Sequence, residues 1–128
     1  MKRDLDVIRA ILLALEEQED MRGINAKHVE AHSPDVVNYN AALLIEAGFV
    51  DGAVSKTIGR TQPPPVHAHR LTWSGHELLD ALRPETVFEQ TKSAMQKVGS
   101  FTFGTLRKVA EGLMVKMAQQ AAGLDQSG

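Results

Sequence analysis

The chain has 128 residues, of which 14 are basic and 16 are acidic, and it contains no cysteine. This length suits one compact domain with an appended helix. The absence of cysteine excludes disulfides, thiolate catalysis and cysteine-based zinc sites. The net charge of −2 argues against a protein that coats nucleic acid non-specifically. Because no signal-peptide pattern follows Met1 and every apolar run is too short to cross a bilayer, we expect a cytoplasmic protein.

The first half of the chain predicts two helices joined by a short extended segment. Apolar residues recur at helical spacing and predict an amphipathic helix from about Asp4 to Gln18. The weak alternation of Ile24 to Glu30 predicts a brief strand or extended link. Ser33 followed by proline is a helix-start signal, so a second helix is predicted from Pro34 to Ala47. Gly48 is well placed to end it.

The middle of the chain predicts a β-hairpin whose loop is stiffened by prolines. Phe49 and Val50 open the first extended stretch. Pro63 to Pro65 lacks backbone donors and is predicted to form a loop tip or an edge. Val66 to Trp73 alternates as a strand does, with the two histidines, Leu71 and Trp73 on one face. We therefore expect the indole of Trp73 to pack in the core.

The last part of the chain predicts three further helices. Ser74 to Glu77 matches the capping box and predicts a helix to Leu82 or Arg83. A second helix restarts at Pro84 and runs to Gly99. Ser100 or Thr102 is predicted to cap the last helix.

This order of elements predicts an α+β, mainly α fold: a winged helix-turn-helix with a β-hairpin wing and extra C-terminal helices. We expect the winged-helix domain to span residues 1–83. Residues 84–122 are then a helical extension that packs on this domain or forms a dimer, and residues 123–128 are a frayed tail.

Two segments resemble bacterial winged-helix repressors of the arsenic-repressor type. Val37 to Val50 is similar to their recognition helix and first wing strand, and Arg70 to Leu79 is similar to their second wing strand and the helix that follows. In those repressors the groove-facing positions usually carry Ser, Arg, His or Lys. The resemblance implies that the helix before the hairpin lies in the DNA major groove while the hairpin touches the backbone.

Several separated motifs, taken in order, resemble an uncharacterised bacterial and prophage family, domain of unknown function 2513. The resemblance covers roughly the first hundred residues, and its motifs are Met1–Asp6, Glu46–Gly48, Arg70–Glu77 and Thr86–Phe88. It implies a winged-helix-like fold and a mobile-element context, and it implies no activity.

Six residues are candidates for contact with double-stranded DNA. Asn38, Tyr39 and Asn40 occupy the positions that would face the groove, and asparagine can bond adenine through two hydrogen bonds. The alternative for these three is a helix break or a polar surface. On the hairpin the candidates for phosphate contact are Lys56, Arg60 and Arg70. All three lie within a stretch, residues 52–76, that has no acid. The alternative is a solvated hairpin that protects a sheet edge.

Two functions follow as hypotheses. The first is a small DNA-binding transcriptional regulator, a homodimer formed through the terminal helices. The second is a protein–protein interaction module, a phage-type protein that binds a host protein, and it is favoured because residues 28–45 contain no lysine or arginine. A positive groove would favour DNA, whereas an acidic or apolar face would favour a protein. No motif of an enzyme is present, so we expect no catalysis, cofactor or metal.

Overall fold

A computed structural model gives the fold for residues 1–56, 59–99 and 102–123. These described residues form an α+β structure, mainly α, with five α-helices and one two-stranded antiparallel hairpin. The helices are α1 (Leu5–Glu16), α2 (Pro34–Glu46), α3 (Trp73–Leu82), α4 (Glu85–Val98) and α5 (Phe103–Ala121). The strands are β1 (Val50–Val54) and β2 (Val66–Leu71), and a short 3-10 helix spans Ala26–His28.

The chain divides into two compact units, Met1–Leu79 and Asp80–Gly128. The first contains α1, α2, the hairpin and most of α3. The second contains the end of α3 together with α4 and α5. The domain boundary predicted after residue 83 stays a prediction, and most of the predicted tail lies outside the described residues. Over the described parts of the chain, none of the helices is long and apolar enough to span a membrane.

The helices α1 and α2 begin at the predicted caps. The Asp4 carboxylate accepts hydrogen bonds from the backbone N–H groups of Asp6 and Val7, at 3.0 and 3.3 Å. The Ser33 hydroxyl accepts from the Val36 N–H at 3.4 Å. These side chains satisfy N–H groups that have no partner inside the helix. The helix α2 runs unbroken to Glu46, so the helix break considered for its middle does not occur.

The core of the first unit is built from one face of each element. The buried apolar side chains of α1 pack with those of α2 and the hairpin. The largest fully buried side chains of this unit are Val7, Ile8, Ile11, Leu12, Ile24, Leu44, Val50, Leu78 and Leu79. Ile24 also extends the hairpin, because it exchanges two backbone hydrogen bonds with Ala68, at 2.8 and 2.9 Å. The segment predicted as a brief strand or extended link therefore contributes one β-bridge, between Ile24 and Ala68 of β2.

A β-bulge shifts the register of the hairpin. Asp51 pairs with Arg70, but Gly52 pairs with Ala68, so His69 has no residue opposite it in β1. A bulge of one residue moves the following side chains to the other face. Leu71 is consequently buried with Ala68 instead of sharing the exposed face of the histidines, which corrects the predicted alternation.

The start of α3 differs from the predicted capping box. The helix begins at Trp73, and the Thr72 hydroxyl accepts from the Gly75 N–H at 3.1 Å, so Thr72 holds the capping position instead of Ser74. The same hydroxyl donates to the Gly48 carbonyl at 2.6 Å. Trp73 is 80% exposed. The prediction that it packs in the core is wrong, because the strand ends at Leu71 and its alternation does not extend to Trp73.

The second unit contains the packed pair α4 and α5. The chain leaves α4 through Gly99, whose φ of 72° suits glycine. The Thr102 hydroxyl caps α5 by accepting from the Thr105 N–H at 3.0 Å, and the alternative cap Ser100 lies outside the described residues. The buried residues of the two helices are Val87, Phe88, Thr91, Met95, Leu106 and Ala110.

We expect the substitution Thr91→Val to raise the free energy of unfolding by up to about 1 kcal/mol. Thr91 is fully buried, and among the described residues nothing bonds its hydroxyl. Valine has nearly the same shape and no polar atom to desolvate. Urea unfolding followed by circular dichroism measures the change. As a control, Thr102→Val removes the α5 cap and is expected to cost about 1 kcal/mol; a loss of stability from Thr91→Val would contradict the prediction.

Candidate interaction face on α2

The outer face of α2 is acidic and apolar. We define it by Asp35, Tyr39, Ala42 and Glu46, which follow one another at intervals of four, three and four residues and so lie on one side of the helix. The opposite side carries the buried residues of the core. No lysine or arginine occurs anywhere in α2. This face therefore has two negative charges and no positive one.

The loop of the hairpin lies beside the outer face and forms a groove with it. Tyr39 and Ala42 line one side of this groove, together with Met1, and the loop residues Thr61–Pro64 line the other. Its volume is about 400 Å³, and Tyr39, Pro63 and Pro64 are half-buried in it. We call this the α2 groove. The outer face is thus flanked by the chain's own loop.

Asn40 is a core residue, which corrects its predicted contact with bases. It is 0% exposed. Its Oδ1 accepts from the Asp4 N–H and its Nδ2 donates to the Val36 carbonyl, both at 2.9 Å. A side chain that is buried and bonded in this way cannot reach a base edge.

Asn38 is bonded within the protein, and Tyr39 lies in the α2 groove. The Asn38 Oδ1 accepts from the Val66 N–H at 3.0 Å and so joins α2 to the start of β2. Tyr39 lines the α2 groove. Asn38, Tyr39 and Asn40 were predicted to contact DNA together. In the structure one bonds the hairpin, one lines the α2 groove and one lies in the core, so they do not share a surface.

Arg70 is paired across the hairpin. Its Nη2 lies 2.6 Å from Oδ2 of Asp51, and about half of each side chain is exposed. The sequence segment without acids begins directly after Asp51, so the partner of Arg70 fell just outside it. The pair adds little net charge to the hairpin surface.

Lys56 and Arg60 remain exposed cations of the hairpin loop. The guanidinium of Arg60 makes a long contact of 3.5 Å with the Pro63 carbonyl, and such a contact is weak. Lys56 and Arg60 thus lie on the surface in the loop of the hairpin.

The histidines of β2 form a pair on its exposed face. The rings of His67 and His69 are 5.2 Å apart, and His67 Nε2 donates to the Arg22 carbonyl at 2.7 Å. In the part of the chain that the structure describes, no group of three His, Asp or Glu side chains is arranged to hold a metal ion.

The sequence analysis missed the α2 groove and the exposed indole of Trp73. The spacing of Asp35, Tyr39, Ala42 and Glu46 was a readable signal, because it places two acids and no base on one side of the predicted helix. The proximity of Thr61–Pro64 had no signal in the sequence, since it depends on how the loop folds back.

The described residues thus define a small α+β protein in which the second helix leads directly into an antiparallel hairpin. The chain belongs to the family described as hypothetical protein DUF2513, whose model matches residues 2–102. It is similar to an uncharacterised protein of Haemophilus influenzae, with 32% identity over 119 residues that cover 91% of this chain and 98% of that protein. No solved structure matches the chain significantly.

Proposed function

We propose that this protein is a protein-binding module on a winged-helix-like fold, with the outer face of α2 as its contact surface. The observation that carries the proposal is the composition of that face, which holds Asp35 and Glu46 and no cation. The order of elements supports the fold: α2 ends at Glu46, β1 begins at Val50, and Ile24 adds a bridge beside β2.

Electrostatics favour a protein partner over DNA at this face. A helix that enters the major groove approaches phosphates on both sides, and cations that neutralise phosphates supply most of the affinity. Two carboxylates on the outer face oppose such an approach. The α2 groove instead offers an aromatic ring, a small Ala42 and two prolines, which suit an apolar side chain of a partner. The proposal includes the case in which this protein comes from a mobile element and its partner is a protein of the host.

The 128-residue chain carrying a biotin tag tests the proposal by affinity capture and mass spectrometry. We expect wild type to capture a partner that Ala42→Arg loses, because the long side chain fills the α2 groove. The matched control is Ala118→Arg, the same change at an exposed position of α5, which should capture as wild type does. Equal capture by all three proteins, or by none, counts against the proposal.

Lys56 and Arg60 favour DNA binding through the hairpin tip as a second candidate function. The prediction of a dimeric transcriptional regulator now rests on these two cations, since Asn40 is buried, Asn38 is bonded, Arg70 is paired and Tyr39 lies in the α2 groove. If it holds, Arg60→Ala should weaken binding to all duplex sequences equally and reduce the salt dependence by about one phosphate contact. Fluorescence anisotropy with mixed-sequence duplex, titrated with salt, measures this. No binding at low salt would rule this candidate out.

A further inference from the structure

The two acids on the outer face of α2 are affected differently by the helix that carries them. Asp35 lies in the first turn of α2, and Glu46 is its last residue. The partial positive charge at the start of a helix favours a carboxylate, whereas the partial negative charge at its end disfavours one. Helix stability therefore explains the position of Asp35 but not that of Glu46. A residue that lowers stability at its own position is a candidate for a role in binding.

The Glu46 carboxylate has no compensating group within the protein. The last turn of α2 contains no basic residue, and Glu46 is exposed. In the part of the chain that the structure describes, neither a hydrogen bond nor an ion pair engages this carboxylate. Its negative charge and the lone pairs of both oxygens are therefore open to a ligand.

This charge lies beside the α2 groove. Glu46 follows Ala42 by four residues, so the two side chains are neighbours on one side of the helix, with their Cβ atoms about 5–6 Å apart. Ala42 lines the groove together with Tyr39, Pro63 and Pro64. An apolar groove and an open carboxylate are thus next to each other, within reach of two neighbouring side chains of one ligand.

The hairpin loop sets the orientation of a cationic ligand. Arg60 directly precedes Thr61, the first loop residue that lines the groove, and it is exposed. Its guanidinium repels a cation on the loop side of the groove, while Glu46 attracts one on the α2 side. A ligand in the groove is therefore favoured when its positive group points toward the end of α2.

We propose that the α2 groove binds a segment of the partner that carries an apolar side chain and, beside it, an arginine. The apolar side chain packs against Ala42 in the groove, and the guanidinium pairs with the Glu46 carboxylate. In an extended segment these two residues are two positions apart, because alternate side chains lie on the same face, about 7 Å from each other. Arginine is favoured over lysine because its planar group can bond both carboxylate oxygens. This inference rests on the proposed function and names the chemistry of the partner at that site.

NMR spectroscopy of the ¹⁵N-labelled 128-residue chain tests this chemistry. The probes are the blocked tripeptide Leu-Ala-Arg and the same tripeptide with citrulline, which has the shape of arginine and no charge. We expect both peptides to shift the amide signal of Ala42, and the arginine peptide alone to shift that of Glu46. For the Ala42 signal, the initial slope of the titration should be about two- to fivefold larger with arginine, as expected of one exposed ion pair.

Two variants separate a specific ion pair from general attraction to the acidic face. Glu46→Gln should reduce the slope for the arginine peptide to that of the citrulline peptide. The matched control Asp35→Asn removes one charge from the same face at the other end of α2 and should retain most of the slope. Glu46→Gln should also raise the midpoint of urea unfolding, whereas Asp35→Asn should lower it, because the two carboxylates lie at opposite ends of the helix.

Four results would overturn the inference. Two concern the wild-type chain: equal slopes for the two peptides, or no shift of the Ala42 signal with either. Two concern the variants: an equal loss of slope from Asp35→Asn and Glu46→Gln, or a lower urea midpoint after Glu46→Gln.

The capture experiment distinguishes a failure of this inference from a failure of the proposed function. A partner that is lost with Ala42→Arg and retained with Glu46→Gln would agree with the proposed function and contradict the pairing with arginine. Equal capture by wild type and Ala42→Arg would contradict both.

Discussion

The substitution Gly75→Ala is expected to lower the free energy of unfolding by about 3 kcal/mol. A methyl group built on Gly75 would overlap the backbone carbonyl of Phe49. That carbonyl also accepts from the Thr72 N–H at 3.0 Å, so it cannot move away without breaking the join between the end of α2 and the start of α3. Urea unfolding followed by circular dichroism measures the loss.

Gly112→Ala is the matched control for this prediction. Gly112 lies inside α5, and nothing would lie within 4 Å of the added methyl group. Because alanine is the better helix former, this change should raise the stability by about 0.5–1 kcal/mol. If Gly75→Ala did not lower the free energy of unfolding, the close approach of the Gly75 and Phe49 backbones would be contradicted.

The substitution Asn40→Ala is expected to destabilise the protein by about 2–3 kcal/mol. It leaves the Asp4 N–H without the acceptor that Asn40 provides, and it opens a cavity in the core. The substitution lowers the free energy of unfolding of the protein itself, so the loss is expected without any ligand. Chemical unfolding at several protein concentrations measures it.

Asn25→Ala is the control for Asn40→Ala. It shows whether the loss of stability depends on the buried position of Asn40 or follows from replacing any asparagine that accepts a hydrogen bond. Asn25 is exposed and accepts from the Lys27 N–H at 2.9 Å, as the cap of the short 3-10 helix. Its replacement should cost no more than about 1 kcal/mol. Should Asn40→Ala keep wild-type stability and change only a binding property, the structural role of Asn40 would be refuted.

The order and type of the elements were predictable because their signals are local. Asp4 and Ser33 cap the helices that their positions predicted, and Gly48 adopts a φ of 86° after α2. Local sequence signals gave a wrong prediction at two places, where a single residue changed the strand register or the start of a helix. The bulge at His69 reversed the face of Leu71, and the capping role of Thr72 began α3 one residue before the predicted cap.

The candidate site was less predictable because it depends on contacts between distant residues. Asn40 has the polarity of a surface residue, yet it lies on the buried side of α2 and bonds the Asp4 N–H, 36 positions earlier. Arg70 belonged to a segment without acids, yet its partner Asp51 lies directly across the hairpin. Such pairings follow from strand register, which the composition of one segment does not reveal.

The two asparagines of α2 also limit how this fold can evolve. Asn38 reaches forward 28 positions to Val66, and Asn40 reaches back 36 positions to Asp4. Replacing both asparagines with residues such as serine, arginine or histidine, which are common at these positions in the repressors, would remove both hydrogen bonds. A DNA-reading helix could therefore not be built at these positions by exchanging side chains alone, because the N-terminus and the hairpin would first need other contacts with α2.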